Sequence, residues 1–62
     1  MPIVKISLFS GRSKEVKRKI AKEITEVLVK HLQIPPEAVI VIFEDIEKHN
    51  FAQAGNLAEE SS

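Results

Sequence analysis

Residues 14–32 read KEVKRKIAKEITEVLVKHL, and their apolar members recur at helical spacing. Val16, Ile20, Ile24, Val27, Leu28 and Leu32 form one stripe, with Ala21 beside it. Lys17, Lys22, Glu23, Glu26 and Lys30 fill the remaining surface. This period predicts an amphipathic helix of about five turns. Ser13 is placed to cap its start, and Glu15 suits the positive end of the helix dipole. Lys30 and His31 suit the negative end, and Pro35-Pro36 bars any continuation.

On the N-terminal side, residues 2–9 alternate. Val4, Ile6 and Leu8 point one way; Ile3, Lys5, Ser7 and Phe9 point the other. Branched residues at period two predict a strand with one apolar and one mixed face. Ser10-Gly11-Arg12-Ser13 ends it. On the C-terminal side, residues 39–43 are a continuous apolar run, which predicts a strand buried on both faces. Strand, helix, strand is a β-α-β unit of the α/β class, with parallel strands and a right-handed crossover. Residues 45–50 are polar and suit a turn or a short helical piece. Residues 51–57 contain Gly55-Asn56, a hairpin-compatible pair, so a small C-terminal hairpin or arm that packs on a neighbour is expected. Residues 59–62 are expected to fray.

Sixty-two residues make a single domain, residues 1–62, that is marginal alone. With no cysteine, disulfides and thiolate metal sites are excluded. His31 and His49 are not clustered, so no metal is expected. Two strands and one helix leave a sheet face and the strand edges uncovered. The sheet should therefore be completed by a second subunit. Nine basic and nine acidic residues balance, which argues against a nucleic-acid partner. No apolar run approaches a membrane span, and the chain start lacks the features of a signal peptide, so a cytoplasmic setting is expected.

There is no GxSxG, P-loop or GxGxxG, and residues 10–13 resemble a phosphate loop only superficially. What remains is Pro2. After removal of Met1 it would carry a free secondary amine, held in a ring at the start of a strand. Such an amine works as a base only when neutral, and an apolar setting or nearby cations favour that form. Met-Pro is also an ordinary chain start with no chemistry attached. If Met1 stays, the Pro2 nitrogen is an amide with no basicity.

The opening PIVKISLFSGRS, the helix, the apolar strand and the closing HNFAQAGNLA together resemble the 4-oxalocrotonate tautomerase family, from Pro2 to about Ala58. The resemblance implies a β-α-β protomer with a terminal hairpin, paired into dimers and, in many short members, into a hexamer built as a trimer of dimers. It implies an isomerase that needs no cofactor: a tautomerase interconverting the keto and enol forms of a 2-hydroxydienoate, or of a related 2-oxo acid such as a phenylenolpyruvate. Pro2 matches the family's general base. Arg12 matches an arginine that binds the carboxylate of the small-molecule substrate, and it can come from a neighbouring subunit. Phe51 matches an aromatic that keeps the pocket dry, a role compatible with ordinary packing under the hairpin.

Ile40 departs from the pattern, because the well-known family member carries an arginine there. Losing such a preorganised donor can cost roughly 3–4 kcal/mol of transition-state stabilisation. Weakened turnover of dicarboxylates is therefore expected, unless Lys5 or Lys48 supplies the cation; both also read as solvated lysines. The alternative is a binding or structural oligomer of the same fold with little chemistry. A related branch adds water to halogenated acrylates with the help of a carboxylate, and Gln53 cannot serve as one.

Overall fold

A computed structural model of the chain describes residues 1–60. The first strand, β1 (Ile3–Phe9), leads to helix α1 (Lys14–Leu32). A 3-10 turn at Pro36–Ala38 precedes β2 (Ile40–Ile46). A second 3-10 turn, Lys48–Asn50, precedes the short strands β3 (Ala52–Gln53) and β4 (Asn56–Leu57).

The helix begins and ends for local reasons. Ser13 Oγ accepts the Val16 N–H at 3.2 Å, relieving one of the unpaired donors of the first turn. At the other end Gln33 turns left-handed (φ 55°) and donates its N–H to Val29 O at 3.0 Å. The helix thus stops before Pro35 is reached.

The two long strands pair in parallel, in a register running from Ile3–Ile40 to Phe9–Ile46. The Ile40 N–H donates to Pro2 O at 3.0 Å, and the Ser10 N–H donates to Ile46 O at 2.9 Å, closing the ladder at both ends. The second strand differs from its expected bounds. Val39 belongs to the preceding turn, its N–H bonded to Pro36 O at 3.1 Å. At the other end the strand runs past Phe43 through Glu44 and Asp45 to Ile46. Both carboxylates find partners from distant sequence. Glu44 Oε1 accepts the Ser7 hydroxyl at 2.8 Å, and Asp45 takes Lys17 Nζ at 2.7 and 2.9 Å.

Lys17 also corrects the reading of the helix. It faces the sheet, beside the half-buried Ile20, Ala21, Ile24, Thr25, Leu28 and Val29. Val16, Val27 and Leu32 stay exposed, with Val27 54% open. The apolar arc is thus wider than one sheet face can cover. Nor is β2 buried on both faces: Val41 and Phe43 lie under the helix, whereas Ile40 and Ile42 are exposed on the outer face.

No described residue is buried. The Cα radius of gyration is 15.0 Å, against about 11 Å for a compact chain of this length. The accessible surface is 5021 Å², against about 4,000 Å² for a compact chain of this mass. The protomer is therefore one half of a packing problem, with Ile3, Ile40 and Ile42 left for another surface to cover.

The hairpin forms, but its turn is Ala54-Gly55, and Asn56 opens β4. Both turn residues have positive φ, 54° for Ala54 and 81° for Gly55, the pattern that favours Asn-Gly. An alanine held there carries a penalty of about 1 kcal/mol. Ala54→Asn should raise the melting temperature by a few degrees at fixed protein concentration. An unchanged or lower value would contradict this account of the turn. Glu59 and Glu60 were expected to fray; instead they sit in a turn closed by the Glu60 N–H on Leu57 O at 3.0 Å. Ser61 and Ser62, the rest of the expected frayed tail, lie outside the described residues.

Candidate active site

Proline suits the position just before β1, because it lacks an N–H to give to a ladder. Pro2 is half-buried and anchored through its carbonyl to Ile40. Met1 is 85% exposed, so nothing in the protomer shields the Met1–Pro2 bond. Beside Pro2 the outer face of the sheet is apolar, with Ile3 62% and Ile40 36% exposed. The absence of a cation at position 40 therefore extends to its strand partner. Lys5 comes next along this face, but its Nζ lies 3.7 Å from Glu44 Oε1.

Phe51 stands at the opposite end of the sheet. Its ring meets that of Phe9 edge-on, with centroids 5.3 Å apart at 84°, a favourable aromatic geometry. The Ala58 N–H donates to Phe51 O at 2.9 Å and closes the base of the hairpin, while the Phe9–Phe51 contact sets it against this corner. Here Phe9 and Phe51 wall a hollow of about 530 Å³, which Lys48, Gln53 and Asn56 also line. Phe51 thus packs under the hairpin and lines a cavity at once.

Arg12 lies in the loop that leaves this same end of β1. Gly11 allows the loop's reversal with φ 117°. Ser10 Oγ donates to Glu47 Oε1 at 2.7 Å, tying the loop to the segment after β2. Arg12 is exposed and makes no ion pair among the described residues.

The four residues singled out from the sequence therefore fall into two groups. Pro2 and Ile40 adjoin one another; Arg12 and Phe51 share the far end. The seven residues of β1 separate the groups by about 20 Å. No small molecule bridges that distance, so one protomer cannot bring all four together. Sequence reasoning missed Phe9, Gln53 and Asn56 in the hollow. The only signal for Phe9 was a large aromatic on the mixed face of β1.

Residues 2–60 match the family model described as "Tautomerase enzyme". A probable tautomerase of Ralstonia nicotianae is 44% identical over 57 residues, covering 92% of this chain and 88% of that protein. The crystal structure of a 4-oxalocrotonate tautomerase homologue superposes with a TM-score of 0.92 at 31% identity, covering 100% of this chain and 98% of the other. A structure from work on the 4-oxalocrotonate tautomerase isozymes of Methylibium petroleiphilum gives a TM-score of 0.89 at 32% identity, covering 97% and 94%.

Proposed function

This chain belongs to the tautomerase family, and from that premise we propose that it is a tautomerase whose general base is the amine of Pro2, working in a site shared between subunits. The amine takes the proton from the enol oxygen of a 2-hydroxydienoate or related 2-oxo acid enol. It then returns that proton to carbon, leaving the ketone and the regenerated amine. Arg12 from another copy grips the substrate carboxylate with its planar fork, which remains charged at every relevant pH. Phe51 excludes water, which strengthens each electrostatic contact inside.

The observation that supports this reading most is the division of the site residues between the two ends of β1. If they act together, Pro2 of one copy must meet Arg12 and Phe51 of another. The uncovered outer face of the sheet and the open helix flank supply the surface for such an assembly. A dimer or a hexamer satisfies the requirement.

Mixing tests it. Homo-oligomers of Pro2→Ala and of Arg12→Gln should each be nearly inactive. After the two are unfolded and refolded together in equal amounts, about a quarter of the sites should regain both wild-type groups by random pairing. Recovery no greater than the mean of the two parents would show that one chain supplies both residues, and the shared site would fall.

Ile40 favours a second reading, in which the assembly persists but the chemistry is weak. Under it, the Pro2→Ala variant and the parent would ketonise enols equally slowly.

A further inference from the structure

Of the two lysines considered as replacements for the cation missing at position 40, Lys5 is engaged. Its Nζ lies 3.7 Å from Glu44 Oε1 on the outer sheet face. That carboxylate also receives the Ser7 hydroxyl at 2.8 Å. Lys48 is placed differently. It opens the 3-10 turn that delivers Phe51, and it lines the Phe9–Phe51 hollow beside Gln53 and Asn56. Two nearby acids, Glu47 and Glu59, have other partners. Glu47 accepts the Ser10 hydroxyl at 2.7 Å, and Glu59 lies 3.8 Å from His49 Nδ1. Among the described residues Lys48 makes no ion pair.

We infer that Lys48 is a carboxylate-binding residue, and that it and Arg12 gather both substrate-binding cations at the Phe51 end of the pocket. This rests on the tautomerase reading and deepens it. A guanidinium fork orients a carboxylate, and an ammonium adds a point charge on a flexible stem with less demand on geometry. The Gln53 amide adds a neutral N–H donor to the lining of the same hollow, and so does Asn56, whose Nδ2 also donates to Ala54 O at 3.5 Å. The Pro2 end contributed by the other copy is apolar, through Ile3 and Ile40. The pocket is thus polarised along its length, with cations at one end and branched hydrocarbon at the other. The matching substrate is a monocarboxylic 2-oxo acid enol with an apolar or aromatic tail. A dicarboxylate would bury its second charge against isoleucine with no partner, which is costly.

Titration calorimetry with phenylpyruvate, the stable keto form of such a substrate, tests this without requiring turnover. Lys48→Gln should weaken binding about tenfold, a loss typical of one charge-assisted contact. Lys48→Arg should restore most of it, and Lys5→Gln should leave it unchanged. In the ketonisation assay, Lys48→Gln should raise KM for phenylenolpyruvate about tenfold while kcat stays within about threefold. Unchanged phenylpyruvate affinity in Lys48→Gln would overturn the inference, as would a parent protein that does not bind phenylpyruvate. The tautomerase reading is judged separately. If Pro2→Ala matches the parent rate, that reading fails whatever Lys48 does to binding. If Pro2→Ala is slow and Lys48→Gln binds normally, the role of Lys48 fails alone.

Discussion

Replacing the ring amine in Pro2→Ala is expected to slow enol ketonisation by roughly 10²–10⁴-fold, the contribution of a positioned general base. In Pro2→Ala the processed chain still ends in an amine, but a primary one that rotates freely about its N–Cα bond. The pyrrolidine ring removes that freedom and fixes the lone pair relative to the strand. The strand in turn is fixed by the bond from the Ile40 N–H to Pro2 O. The carbonyl anchor survives the substitution, so the fold and the assembly should be retained. The effect should fall on kcat and kcat/KM together, because proton transfer is impaired while the carboxylate contacts at the far end remain. A variant with normal oligomeric mass and a normal rate would remove Pro2 from the mechanism.

The second large effect is a gain. Ile40→Arg should raise kcat/KM for a dicarboxylate such as 2-hydroxymuconate by about tenfold to a hundredfold. This is somewhat less than the 10²–10³ lost when an optimised oxyanion donor is removed. Position 40 adjoins Pro2 across the ladder, on the outer face of the sheet that the shared site uses, so a guanidinium there would stand beside the reacting amine. It would pair with the second carboxylate, which otherwise lies against isoleucine without a partner. The same change should lower phenylenolpyruvate turnover, because the tail of that substrate would then rest against a charge. Parallel changes for both substrates would contradict the polarised pocket, and no change for either would remove Ile40 from it.

Much of this was legible in the sequence where the causes are local. The bounds of the helix follow from Ser13, the spacing of Val16 through Leu32, and the prolines beyond; the structure reproduces them. The parallel β-α-β unit followed from two apolar segments flanking one helix. The misread features depend on partners far away in the chain. Glu44 lay beyond the expected strand and Asp45 looked like a turn residue, yet both extend β2, where Ser7 and Lys17 answer their carboxylates. Lys17 looked solvent-facing for the same reason. The hairpin turn shifted by one residue because Ala54 adopts a left-handed conformation that its side chain does not favour.

The candidate site shows the same division. Pro2, Arg12, Phe51 and Ile40 were singled out by type and resemblance. Their separation into two groups about 20 Å apart needed the strand register. The pairing of Phe51 with Phe9 and the place of Lys48 in that hollow depend on how the C-terminal segment folds back on the sheet. Lys5 and Lys48 read alike as sequence. One ion pair, Lys5 with Glu44, separates them.

The central claim is that the amine of Pro2 performs the chemistry, and the most direct measurement compares two forms of one protein. Chains that begin at Pro2 and chains that retain Met1, each verified by intact mass, are assayed for enol ketonisation at equal oligomer concentration. The Pro2-initiated form should carry essentially all the activity, since the Met1–Pro2 amide nitrogen has no basicity. Equal rates in the two forms would contradict it.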